Sequence, residues 1–293
     1  MLHGVGVLLV ALAPALAQRP CLPDEISGSA SSEPAAVAPP AAELPAPVAA
    51  PPPTPIPPAL AQRERARYRV DYGPLSVGEL YIAIGGASPG AKTVRAGGRG
   101  AGAVLGLGRM SNSIATDFDL ERLDARRWNN ARQDGDRALT DSAEQPTPGQ
   151  VSGTRSRQRP QVRQTPMQAT FPVPVLDPLA FVLRLRAAPP APGAPQVLHV
   201  LDGQALWRVT ISNAGRAALP DGAVGVPTFR LDAVVVPVHW NGTDDESGDR
   251  RRRSFSAWLS DDANRVPLRF EMPLGPSSVV VALTEISRRA PTP

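Results

Sequence analysis

Asp177, Asp262 and His239 are the residues whose types would suit acid–base chemistry, and they are far apart in the chain. A hydrolase built on them would need the fold to bring two carboxylates and an imidazole within hydrogen-bond reach. Local physics gives each a simpler role. Asp177-Pro178 is a helix entry, with aspartate as N-cap and proline at the first helical position. Asp261 and Asp262, followed by Asn264, are turn formers at a hairpin tip. His199 and His239 have no second ligand two or four residues away to complete a metal face. Cys21 is the only cysteine, so neither an internal disulfide nor C-x-x-C chemistry is available. Gly98-x-Gly100-x-x-Ala103 loosely matches a dinucleotide fingerprint, but its neighbours read as antiparallel hairpins, and the glycines are expected in flexible turns. No G-x-x-x-x-G-K-[ST] or G-x-S-x-G segment occurs. Asp244, Asp245, Glu246 and Asp249 precede Arg250 to Arg253 as a self-neutralising loop without calcium-loop spacing. No catalytic, cofactor-binding or metal-binding residue is therefore assigned, and no enzyme or cofactor is expected.

The elements that would position these residues are mostly strands. Tyr68, Val70 and Tyr72 alternate with polar residues up to Gly73-Pro74, and Val77, Leu80, Ile82 and Ile84 follow: two period-2 runs around a turn. KTVRAGGRG is a further short strand, and GAVLGLGRMSNSIATDFDLE feeds one ending near Asp119. A strand begins at Arg126-Arg127-Trp128. Residues 132–167 then carry few apolar side chains and are expected to be a disordered insertion within a hairpin. Strand-like sequence resumes at Gln168. After Pro178, Leu179 to Leu185 make an apolar helix whose last turn holds Arg184 and Arg186, where the helix dipole favours cations. QVLHVLDGQALWRVTISNAG is a hairpin about Asp202-Gly203, VPTFRLDAVVVPVHW one long strand, and FSAWLSDDANRVPLRFEM a second hairpin. SSVVVALTEI, an unbroken apolar run, is expected to be buried on both faces.

Before this lies a different kind of sequence. Val5 to Leu12 is a short apolar core and Ala15-Leu16-Ala17 a small-x-small cleavage pattern, so residues 1–17 read as a signal peptide too short to anchor. No Lys or Arg precedes the apolar core. Cys21 lacks the flanking residues of a lipidation site, since Gln18, Arg19 and Pro20 precede it. Residues 18–62 are rich in Pro and Ala and are expected to form a disordered, polyproline-type tether. One β-rich domain is expected over residues 63–290. The formal charge of +4 is modest, Lys92 is the only lysine, and no basic stripe with interleaved aromatics is evident, which argues against nucleic acid as a partner.

Three segments in this order, RYRVDYGPLSVGEL, VLDPLAFVLRLR and AWLSDDANRVPLRFEM, resemble the domain of unknown function 3108 family of exported bacterial proteins. Asp177, Pro178, Leu185 and Arg186 match its middle motif; Trp258, Leu259, Asp262, Pro267 and Arg269 match its late one. The resemblance spans about residues 65–288. It implies a periplasmic or envelope location and a mainly β, strongly curved antiparallel sheet, an incomplete barrel with one prominent helix against it. It implies no reaction. The expected function is a non-catalytic envelope binding or assembly factor for a lipid, glycan or partner protein. The rivals are the hydrolase of Asp177, Asp262 and His239, and a structural spacer whose concave face is filled by its own side chains.

Overall fold

The computed structural model describes residues 58–87, 91–104, 108–135, 137–159, 161–203, 205–220, 226–239 and 252–289. The expected signal peptide, Cys21, most of the expected tether and the segment Asp244 to Asp249 lie outside these residues.

The strands are β1 (Arg63–Tyr72), β2 (Leu75–Ile84), β3 (Thr93–Val104), β4 (Gly108–Asp119), β5 (Asp124–Asp134), β6 (Arg137–Thr147), β7 (Gln150–Arg159) and β8 (Gln161–Thr170). They continue with β9 (Val175–Leu176), β10 (Gln196–Asp202), β11 (Ala205–Arg216), β12 (Thr228–Val238), β13 (Arg253–Ser260), β14 (Pro267–Leu274) and β15 (Ser277–Arg289). All join one sheet in the order β8-β7-β6-β5-β4-β3-β2-β1-β15-β14-β13-β12-β11-β10-β9. The named pairs are antiparallel except β9–β10. The expected mainly β architecture is therefore present, as a meander whose first strand bridges two halves.

The sheet curls until its far edge returns to its near half. The wholly buried Gln145 of β6 donates to Ala125 O (3.0 Å) and Val175 O (3.2 Å) and accepts from Gly149 N and Val175 N (both 3.0 Å). One amide thus does for the barrel seam what a backbone ladder does elsewhere, saturating four groups that burial would leave unpaired.

Helix α2 (Pro178–Ala187) lies inside the curl. It is apolar nearly all round, as a helix enclosed by packing must be; Leu179, Ala180, Phe181, Leu183 and Leu185 are buried. Phe181 meets Phe255 edge-on at 6.4 Å, and Phe255 lies 4.6 Å from Phe270. The concave face is thus filled largely by the protein's own helix. Short helix α1 (Pro58–Ala61) adds the wholly buried Leu60, whose carbonyl accepts from Ala87 N at 2.9 Å.

Four expectations are corrected. Residues 132–167 hold the end of β5, all of β6 and β7, and most of β8, paired continuously, in place of a disordered insertion. Backbone pairing orders this polar segment, helped by sparse buried anchors at Ala143, Val151 and Met167. Pro166 is tolerated because β8 is an edge strand, and Pro146 because the β6–β7 register shifts there. Helix α1 occupies Pro58–Ala61, so these last residues assigned to the tether belong to the fold. Strand β15 is not buried on both faces: Val279 and Val281 are buried, while Val280 and Ala282 are partly exposed. Gly97, Gly98, Gly100 and Gly102 lie in β3 and not in turns. There a Cβ on Gly102 would stand 2.5 Å from Val77 O, too close for any side chain.

Candidate functional site

Asp177 and Arg186 stand at the two ends of α2, and the Asp262 turn meets the second of them. At its N-terminus Asp177 has extended backbone (φ −78°, ψ 167°) and accepts from Leu179 N (2.8 Å), Ala180 N (3.2 Å) and Thr116 Oγ1 of β4 (2.8 Å). Burial pushes its carboxyl up to about 6, against the lowering effect of those bonds.

At the other end Arg186, 2% exposed, forks onto Glu64 of β1 (2.7 and 2.9 Å) and donates to Asn264 O. Glu64 also accepts from Arg288 at 3.0 Å. Arg265 answers from the β13–β14 tip, donating to the carbonyls of Arg186 (3.1 Å) and Ala187 (2.9 Å) that the helix end leaves open. Asp262 shapes that tip. Desolvation alone would raise its carboxyl, but bonds from Ser260, Arg265 N and Asn264 hold it below the usual carboxylate range. Trp258 is buried with the Arg269 guanidinium 6.0 Å from its ring. These motif residues anchor a helix within a barrel.

The hydrolase trio is not brought together. Asp177 and the Asp262 turn sit at opposite ends of α2, roughly 15 Å apart for ten residues. Thr228 at the start of β12 pairs with Ser260, near Asp262, whereas His239 follows the last residue of β12, roughly 33 Å along the strand. His239 is exposed. His199 lies half-buried in β10, where burial and the facing Arg208 depress its imidazole. Gly98-x-Gly100-x-x-Ala103 runs inside β3 between two antiparallel neighbours, without the strand–turn–helix that a phosphate cradle needs.

A partly buried charge cluster that sequence reading missed closes the seam. Arg155 of β7 donates to Asp141 and to Gly203 O at the β10–β11 tip, and Arg132 lies 3.9 Å from Asp202. Gly203 has φ +54°, the left-handed turn conformation anticipated for Asp202-Gly203, and a Cβ there would stand 3.1 Å from Asp141 Oδ2. Burial pushes the Asp202 carboxyl up to about 7, with Arg132 and Arg155 opposing and Asp141 reinforcing. The fold therefore holds a proton that the unfolded chain releases near pH 4. The sign follows: the contribution of Asp202 to stability is highest below pH 4, falls as pH rises toward 7, and is level above. Asp202→Asn is expected to flatten part of that fall in urea-unfolding midpoints measured from pH 5 to 8, and an unchanged slope refutes the assignment.

Three hollows compare unequally as ligand sites. Between α2 and the sheet a cavity of about 60 Å³ is lined by Tyr68, Leu80, Ile82, Val182, Leu185 and Phe270. It is apolar but about the size of two waters. The convex face carries two grooves of about 490 and 450 Å³. The first is floored by strands β2 to β6 and presents Tyr81, Arg99, Ser111, Ser113, Gln133 and Thr140. Glu79 and Arg67 bond to each other; Glu79 also accepts from Tyr81 Oη at 2.7 Å, while Arg99 stands 5.1 Å from the Tyr81 ring.

The sequence model described as "Protein of unknown function (DUF3108)" matches residues 67–284. The chain belongs to the DUF3108 family. The matched region contains Asp177, Arg186 and Asp262, so both ends of α2 and the turn beside its C-terminus lie within it. A solved β-barrel-like protein of domain of unknown function DUF1849 from Brucella abortus is similar at 12% identity and a TM-score of 0.48, covering 79% of this chain and 99% of that one. Among curated proteins none matches. Among the described residues no helix is long and apolar enough to cross a membrane.

Proposed function

We propose that this DUF3108 protein is an exported, tethered, non-catalytic cell-envelope factor that binds a glycan in the Tyr81 groove of its convex face. The carrying observation is that groove: about 490 Å³ beside a partly exposed tyrosine ring held by Glu79, with hydroxyl and amide groups of β4 to β6 around it. An aromatic platform bordered by fixed polar groups suits a sugar ring, which has an apolar face and an equatorial belt of hydroxyls. The concave face is a poorer candidate, because α2 occupies it and about 60 Å³ is left. Export is supported by the Val5–Leu12 core and Ala15-Leu16-Ala17, and the tether by the Pro/Ala run that follows.

Native mass spectrometry of the chain isolated from periplasm is expected to show a retained saccharide or, after crosslinking, an envelope glycan adduct. Tyr81→Ala is expected to lower retention at least tenfold with an unchanged melting temperature, since the side chain is not part of the core. Bare protein without any adduct, or a variant that retains as much, removes the glycan reading. A retained acyl chain would move the site to the cavity beneath α2.

A further inference from the structure

We infer that the second convex groove is an anion-binding subsite, so that the glycan this protein takes is acidic, bearing carboxylate or phosphate groups; this rests on the glycan reading above. Arg63, Arg65, Arg95 and Arg289 line a groove of about 450 Å³ whose floor includes Ala83 and Gly97. Strand register explains the shape. Arg65, Ala83, Gly97 and Ala115 lie opposite one another on β1 to β4, giving one transverse row of small residues with an arginine at its head. On one side Arg289 faces Arg63, and Gly85 N bonds Arg95 O, so these arginines share the next row. On the other side run Arg67, Tyr81 and Arg99.

Neighbouring strands lie about 4.8 Å apart, so Arg289 to Arg95 spans roughly 14 Å, and the two flanking rows, four residues apart, are roughly 13 Å from each other. A single saccharide chain fits between them. The Tyr81 groove opens from the far row, so both hollows are parts of one surface.

Three of these four charges have no internal ion-pair partner among the described residues, and the fourth has only a solvent-exposed one. Among the described residues Arg63, Arg65 and Arg289 are exposed and form no ion pair, and Arg95 meets Asp117 only at 3.6 Å while 79% exposed. Glu64, the carboxylate beside the groove, is already taken by Arg186 and Arg288. Placing Arg63 directly opposite Arg289 is unfavourable for the sheet itself, because like charges across a strand pair repel. A guanidinium fork matches carboxylate and phosphate oxygens in pairs, which is the chemistry that would offset this repulsion. The trench form favours a chain lying in it over a bilayer pressed against it. A lone tyrosine, without a series of stacking rings, does not suit single-stranded nucleic acid.

The test uses the full mature chain and alginate oligosaccharides as the acidic probe. Dextran of equal length is the neutral probe; phosphatidylglycerol-containing vesicles and oligothymidylate are the other polyanions. Alginate is expected to bind at least tenfold more tightly than dextran at low salt, with affinity falling steeply as salt rises. The triple variant Arg63→Gln, Arg65→Gln, Arg289→Gln is expected to lose that tenfold advantage while its melting temperature and its dextran binding stay unchanged. Equal binding of alginate by variant and parent, no preference over dextran, or tighter binding to vesicles or oligothymidylate overturns the subsite. Failure here with Tyr81-dependent saccharide retention intact leaves the glycan reading standing. Loss of that retention fells the glycan reading separately.

Discussion

Replacing Glu64 with alanine is expected to destabilise the fold by about 3–5 kcal/mol, because it strands the Arg186 guanidinium in the interior. With Glu64 present, Arg186 makes two parallel charge-assisted bonds at 2.7 and 2.9 Å. Without it, the side chain keeps its bonds to Asn264 O while most of the desolvation cost is left uncompensated. Arg288, 28% exposed, can turn to water when Glu64 is lost and adds little to that cost. The double replacement Glu64→Leu with Arg186→Met is expected to recover much of the loss, since exchanging a buried pair for apolar residues of similar size is often neutral or better. Urea unfolding of the two single variants and the double variant completes the cycle. A loss below about 1 kcal/mol for Glu64→Ala would mean that water reaches the pair. The same cycle measures what Arg186 contributes at the end of α2. The arginine ties the barrel's central strand, its enclosed helix and the β13–β14 tip together, a role larger than the macrodipole contribution that its position suggests.

The halves of the barrel were unequally legible in the sequence, and the reason is physical. β1, β11 and β12 bury every second residue along much of their length, and that period-2 signal is the one a sequence displays most openly. β6 to β8 contribute few buried side chains; they are held by backbone ladders, and a ladder leaves no compositional trace. Their turns were nonetheless written in residue types. Asp134-Gly135 and Pro148-Gly149 carry the same chemistry as Asp202-Gly203, and Gly149 adopts φ +81° with its would-be Cβ 2.4 Å from Phe171 O. The convex surface was hidden for a related reason. Arg63, Arg65, Arg67 and Arg69 alternate with the apolar face of β1, so the basic row was present at period 2. Its partners Arg95 and Arg289 are far away in sequence and join it only through the register of β3 and β15. Asp177 as an N-cap was readable from one dipeptide; its bond to Thr116, sixty-one residues away, was not.

That bond sets the second large effect. Asp177→Ala is expected to cost about 2–4 kcal/mol, from loss of the N-cap and from orphaning the buried Thr116 hydroxyl. The figure should depend on pH in a stated direction. Burial raises the Asp177 carboxyl to about 6, so the folded protein retains a proton between pH 4 and 6 that the unfolded chain gives up. The contribution of this group to the parent is consequently largest below pH 4 and declines as pH rises through 6, while the alanine variant lacks this titration. The gap between them is therefore widest at or below pH 4, shrinks between pH 4 and 6, and is level by pH 8. Asp177→Asn separates the two roles: its amide oxygen still accepts from Leu179, Ala180 and Thr116, and it does not titrate. Its amide nitrogen, however, replaces Oδ2, which has no hydrogen-bond partner among the described residues, so the cap survives at the expense of a buried donor. Asp177→Asn should fall between parent and alanine at pH 5 and come closer to the parent at pH 8. A gap that widens with pH in urea titrations would show that the carboxylate is stabilised as an anion inside the barrel, and that α2 is held by charge as well as by its cap.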